Sequence, residues 1–183
     1  MPTIVNQSFF IRNLTIPNCT SGAGLERILS YIAKYEPECL LKIFGYPLYK
    51  LFGTESSSRM TDLLNGAEYN DGEGNLQKWQ GLKHDTDISL IANYVYFYYQ
   101  QTMAQLSTGS GTSVSNPESA EAVSPAEKMA NAWNFFSSEV YDMTHFLWLK
   151  KDGSGTRVYP EFSYDQFLET RRISRPIDPY LSF

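Results

Sequence analysis

Between Thr86 and Leu106 the apolar residues recur at every third or fourth position. On a helix, Ile88, Ile91, Ala92, Val95, Tyr99, Met103 and Leu106 make one stripe, while Leu90, Tyr94 and Phe97, continued by Gln101, make a second. Only Ser89, Asn93 and Gln100 are left as a polar strip. A helix apolar on two sides lies in the middle of a bundle, or packs one side on its own chain and offers the other to a partner. Tyr94 to Tyr99 is also a run of strand-favouring residues, but the helical spacing continues on both flanks among good helix formers, which favours the helix. Asp85 or Thr86 is placed to cap it, with Asp87 in its first turn.

A second long helix is marked by Ser124-Pro125-Ala126-Glu127, a capping box with proline at the first helical position. It carries Met129, Ala132, Trp133, Phe136, Val140, Met143 and Leu147 on one stripe and leaves Phe135, Phe146 and Leu149 off it. Lys150 and Lys151 suit its negative end, before Asp152-Gly153-Ser154-Gly155 stops it. The stretch 107–123 is rich in Ser, Gly and Thr and nearly free of large apolar residues, so it is expected to be a flexible loop. Two long helices joined this way are expected to pack antiparallel.

Residues 1–20 have extended character and end at Pro17-Asn18, as an edge strand or an N-terminal arm over the bundle. Leu25, Ile28, Leu29, Ile32 and Tyr35 predict an amphipathic helix that stops at Glu36-Pro37. Pro37 and Pro47 each predict the start of a further short helix, with Gly45 closing the one between them. Met60, Leu63 and Leu64 predict another short helix. Ala67-Glu68-Tyr69 and Leu76 to Leu82 flank Asn70 to Asn75 as a β-hairpin with a long turn and Trp79 on its core side. Ser163 is placed to cap a last short helix through Phe167 and Leu168, and 173–183 is a proline-broken C-terminal tail. The whole predicts one mainly α domain over 1–183: a helical bundle with two long antiparallel helices, several short helices and a small β-hairpin.

Composition narrows the function classes. A length of 183 residues lets a single domain bury about two thirds of its unfolded surface. A net charge of −5 and a pI near 5.0 disfavour an electrostatic grip on nucleic acid or an anionic membrane, and Arg171, Arg172 and Arg175 are too short a basic cluster to reverse that. Cys19 and Cys39 match no zinc or redox spacing and read as free thiols. The three Asn-x-Ser/Thr triplets, at Asn6, Asn13 and Asn18, would matter only in a secreted eukaryotic protein. Met1-Pro2-Thr3 leads into no cationic and apolar leader, and no apolar run reaches bilayer length, which predicts a soluble chain without a signal peptide. With 13 Tyr and 11 Phe, aromatic surface exceeds what a small core requires, and tyrosine is favoured where one side is buried and the other wet.

Candidate chemistry is sparse. His84 with Asp85 and Asp87 is the one cluster with acid–base or metal-binding residue types, and helix capping in a solvated turn is the favoured account of its residues. His145 has no histidine or carboxylate three or four residues after it. Gly72-Glu73-Gly74 lacks the context of a phosphate cradle, and no nucleophile elbow, Walker-type loop or metalloprotease motif is present. No catalytic, cofactor-binding or metal-binding residues are expected. The residues expected to bind partners are Leu90, Tyr94, Phe97, Phe135 and Phe146 on the second apolar sides, and Tyr180, Leu181 and Phe183 in the tail. For the first five, cover by other parts of the same chain is an equally open reading. A small-molecule or glycan binding module, using Tyr and Trp as such sites do, is the alternative function class.

The run Leu41-Lys42-Ile43-Phe44-Gly45-Tyr46-Pro47-Leu48-Tyr49, the hairpin strings Gly66-Ala67-Glu68-Tyr69 and Trp79-Gln80-Gly81-Leu82, the tyrosine-rich helix, the Ser/Gly/Thr loop and Ala132-Trp133-Asn134 occur in one order. In that order, over residues 25–162, the chain resembles head–tail connector or adaptor (neck) proteins of tailed phages, most closely those of phages and prophages of Bacteroidetes. The resemblance implies a virion structural protein, assembled in the bacterial cytoplasm as a homo-oligomeric ring between portal and tail proteins. It implies no catalysis, cofactor, membrane or sequence-specific nucleic acid. An acidic surface suits a channel that passes DNA without trapping it.

Overall fold

The computed structural model describes residues 3–84, 89–105 and 125–178. Five α-helices among them, α1 (Gly22–Phe52), α2 (Ser58–Asn65), α3 (Leu90–Gln105), α4 (Pro125–Leu149) and α5 (Tyr164–Ile173), accompany one antiparallel hairpin of β1 (Ala67–Asn70) and β2 (Leu76–Trp79). The mainly helical class with a small hairpin is as the sequence predicts.

Helix α3 is the centre. Leu90 through Phe97 and Tyr99 are buried, so both of its apolar sides are covered. Ring pairs give the directions. Along α3, Tyr94 meets Phe136 of α4 at 5.0 Å and Phe97 meets Trp133 at 4.8 Å, so α4 runs antiparallel to it. On the other side Tyr35 stacks on Tyr98 at 4.5 Å and Tyr31 meets Tyr99 at 5.3 Å, so α1 is antiparallel as well. The start of α3 is held by Ser89, whose hydroxyl accepts from the Ala92 N–H at 3.2 Å. The expected caps Asp85 and Thr86 lie outside the described residues, as do Ser124 and all of 107–123.

Helix α1 corrects the sequence reading. Three short helices were expected, and the structure has one helical run whose backbone departs from helix only at Gly45 (φ 69°, ψ 161°). Pro37 costs the helix one hydrogen bond, a penalty of about 3 kcal/mol in a helix interior. The buried series Ile28, Ile32, Cys39, Leu40, Ile43 and Phe44 continues through it, and each large side chain removed from water returns about 1.5–3 kcal/mol. Continuity of the stripe outweighs the missing bond. At Gly45 the balance differs, because Pro47 has no N–H to offer the Ile43 carbonyl. Helix α5 supplies the donors instead: Gln166 Nε2 gives to Lys42 O at 2.8 Å, and Thr170 Oγ1 lies 3.1 Å from Ile43 O.

Residues 3–19 form an arm with two 3-10 turns, at Gln7–Phe9 and Arg12–Leu14, in place of an edge strand. Val5, Phe10, Leu14, Ile16 and Cys19 bury against the bundle. Its leading end is fixed by Glu36, a buried carboxylate that accepts from Ile4 N at 2.9 Å and Val5 N at 3.0 Å. Burial raises the Glu36 pKa, and the two N–H groups only partly oppose it.

The hairpin docks through Trp79, which is buried against Phe146 and donates from Nε1 to Leu63 O at 3.0 Å. Its base closes on two glycines in left-handed conformation. A Cβ on Gly81 would stand 2.5 Å from Gly66 N, so the strand ends can approach only because neither carries a side chain. The turns Asp71–Asn75 and Asp152–Thr156 share one construction. In each, the aspartate Oδ1 accepts from the N–H groups two and four residues on, at 2.8–2.9 Å. Arg59 joins α2 to the segment before α5, pairing with Glu55 at 2.6 Å and Glu161 at 2.9 Å.

Candidate functional site

Tyr94 sits where α1, α3 and α4 meet. It is 1% exposed, its hydroxyl donates to Glu38 Oε1 at 3.0 Å, and it accepts from Lys42 Nζ at 2.9 Å. Lys42 and Glu38 also pair directly at 2.7 Å. Burial works against both charges, yet the mutual hydrogen bond and Coulomb attraction prevail, leaving Glu38 below and Lys42 above the ordinary values. Burial pushes the Tyr94 phenol far up, so it stays a neutral donor.

Beside this cluster, α4 holds the start of the C-terminal tail. Trp133 Nε1 donates to Arg175 O at 2.8 Å, and the Ser137 hydroxyl donates to the same carbonyl at 3.2 Å. The Asn134 amide both donates to Ile177 O at 2.9 Å and accepts from Ile177 N at 2.6 Å. The side chain thus pairs with the tail as a neighbouring strand would. Between them lies an open groove of about 490 Å³, with Tyr94 and Trp133 on its walls and Lys42, Arg172 and Arg175 at its edge.

A second cleft, of about 480 Å³, lies between the arm (Arg12 to Thr15), Asn93 and Tyr96 of α3, and Asn131 and Phe135 of α4. Its lining mixes amides and charges of both signs with the two rings. Arg12 is held there in left-handed backbone (φ 52°). Among the described residues the buried Tyr96 hydroxyl has no hydrogen-bond partner.

The expected partner-binding residues divide. Leu90, Tyr94, Phe97 and Phe146 are buried at 8% exposure or less, covered by the chain's own α1, α4 and hairpin. The reading of these four as free interface surface is corrected: the short elements of the chain need apolar faces to pack on, and these are the faces they use. Phe135 is half-buried and lines the second cleft. Tyr180, Leu181 and Phe183 lie outside the described residues. Trp133 and Asn134 are the tail-holding residues that periodicity missed, because it places Trp133 on the core stripe while the structure half-exposes it toward the tail.

His84 is half-buried in a shallow depression with Asn65, Gln80 and Lys83, and among the described residues its Nδ1 has no hydrogen-bond partner. Asp85 and Asp87 lie outside the described residues. Among the described residues no group of three or more His, Cys, Asp or Glu is arranged to hold a metal, and no helix is long and apolar enough to cross a membrane. His145 has Asp142 one turn before it and Arg171 of α5 close by, and burial with the nearby Arg171 keeps its pKa below the usual value. Comparison of the chain with family models, curated proteins and solved structures finds no match.

Proposed function

We propose that this chain is a head–tail connector or adaptor subunit of a tailed phage, a virion structural protein whose copies form a ring between portal and tail. The observation that carries the reading is where the resembling strings fall in the fold. Leu41 to Tyr49 is the break in α1 that α5 clasps, Gly66 to Tyr69 and Trp79 to Leu82 are the interlocked base of the hairpin, and Trp133-Asn134 holds the tail. These strings join one element to another, which supports reading them as features that fix the shape of the subunit. The work of such a subunit is to present shaped surfaces to neighbours, and an aromatic-rich, acidic helical body suits it.

The test is native mass spectrometry of the purified protein over a concentration series, alone and with the portal protein of the genome that encodes it. A ring with a discrete number of subunits, or a stoichiometric complex with the portal, is expected. A strict monomer that ignores the portal overturns the proposal.

The cleft between the arm and the two long helices favours a second reading, a binding module for a small polyhydroxyl ligand such as a glycan. The exposed Asn13, Asn131 and Arg12 can pair with hydroxyl groups while half-buried Phe135 offers a ring face. A ligand-dependent rise in melting temperature across a panel of mono- and oligosaccharides, lost in Asn131→Ala, would support it.

A further inference from the structure

The basic cluster Arg171, Arg172 and Arg175 lies along one edge of α4. Arg171 stands over the Tyr141 ring at 5.8 Å and the Phe167 ring at 5.6 Å, and the Arg175 backbone is bound by Trp133 and Ser137. Among the described residues neither Arg171 nor Arg175 is in an ion pair. Arg172 has only an exposed partner, Glu169, at 2.6 Å. Tyr141 beside them is 45% exposed. Arginine over a half-exposed tyrosine, with a tryptophan alongside, is a composition that carries binding energy at protein interfaces.

Glu139 lies toward the other side of the same helix, since residues two apart on a helix point about 200° apart and Glu139 lies two after Ser137 and two before Tyr141, while Asp142 points about 100° away from Tyr141. Glu139 is half-buried and Asp142 is exposed, and among the described residues neither is in an ion pair. Desolvation, with Asp142 alongside, pushes the Glu139 carboxyl up to about 7, as expected where no cation balances it. Both Asp142 and Arg171 act on His145, and among the described residues no ion pair joins the acidic pair to the arginines of the same molecule.

Building on the ring reading, we propose that the Arg171–Arg172–Arg175 edge of each copy docks on the Glu139–Asp142 edge of the next copy. Each edge supplies what the other lacks. Because the two lie on different sides of α4, the contact is head to tail, the kind that closes into a ring when the rotation between copies is a whole fraction of a turn.

The experiment is a charge exchange between two full-length variants, Glu139→Lys/Asp142→Lys and Arg171→Glu/Arg175→Glu, followed by native mass spectrometry, with circular dichroism to check folding. Each variant alone carries like charges on both edges and is expected to associate at least tenfold more weakly than the unaltered protein. An equimolar mixture is expected to recover assembly, with the two variants alternating. Should Glu139→Lys disturb folding, Asp142→Lys alone, at an exposed position, keeps the same logic. If the unaltered protein forms rings and either folded variant does so equally well, or the folded mixture fails to recover, these edges are not the contact while the ring reading stands. If the unaltered protein stays monomeric alone and with the portal, both fall together.

Discussion

The Thr170 hydroxyl lies 3.1 Å from the Ile43 carbonyl, across 127 residues of sequence. It is also 2.8 Å from the Gln166 carbonyl, so its single proton is shared, and Thr170 is fully buried. The relationship follows from Pro47, which leaves that Ile43 oxygen without the N–H of a regular helix. Thr170→Val, similar in shape but without the hydroxyl, is expected to destabilise the fold by about 1–3 kcal/mol, the cost of a buried unpaired acceptor. Urea unfolding should show a lower midpoint with an unchanged slope. Thr170→Ser, which keeps the hydroxyl, should recover most of the loss.

Tyr94 separates core from interface. Tyr94→Phe removes the hydroxyl that links Glu38 and Lys42 but keeps the ring contacts, and about 1 kcal/mol of stability should be lost. Tyr94→Glu places an added carboxylate among Phe136, Trp133 and Tyr98 and should cost at least about 3 kcal/mol. A folded Tyr94→Glu monomer with unchanged melting temperature would refute its placement in the core.

The arm depends on one side chain. Glu36→Ala leaves the N–H groups of Ile4 and Val5 without an acceptor, at about 1–3 kcal/mol if they stay buried. The cheaper response is for the arm to lift at its leading end. Amide hydrogen exchange over residues 4–14 should therefore accelerate well before any change in α3.

Glu139 gives a pH dependence with a definite sign. Its folded pKa, raised to about 7 from 4.5, means the folded state holds the proton more tightly than the unfolded chain. Its contribution to stability is present below pH 4.5 and is lost as the pH rises through about 7. Glu139→Gln, neutral throughout, should match the parent near about pH 4 and exceed it near about pH 8 by about 1 kcal/mol, after discounting for solvent screening of a part-exposed group. Urea unfolding at the two pH values checks it, and a difference that does not grow with pH would count against the assignment.

At the hairpin base, Gly81→Ala combines a left-handed backbone (φ 95°) with a backbone clash at Gly66. A loss of about 2 kcal/mol or more is expected, with Trp79 fluorescence reporting whether the hairpin lifts from Phe146.

Spacing alone located α3, α4, the hairpin and the Ser163 cap of α5, because each rests on local periodicity or capping chemistry. It placed the break at Gly45 before Pro47 but set a false one at Pro37. A proline reads as a stop when only neighbours are considered, and Pro37 is overridden by burial of Leu40 and Ile43 against elements distant in sequence. Periodicity showed that Leu90, Tyr94, Phe97 and Phe146 are apolar, but the identity of what covers them is a tertiary fact. The tail clasp was hidden for a related reason, since Asn134 and Ser137 carry no apolar signal and work through hydrogen bonds to a backbone 38–43 residues on.

Because Asn134 reads only the main chain of Ile177, the tail is held by its path and not by its side chains. Mutational drift at 177 is therefore open to every residue that keeps an N–H, and closed to proline. At 175 the carbonyl must still face Trp133 and Ser137, an orientation helped by Pro176, which holds the residue before it extended. Related chains should accordingly vary freely in the side chains the tail displays while keeping Trp133, Asn134 and the proline, which lets that surface change without refolding the body beneath it.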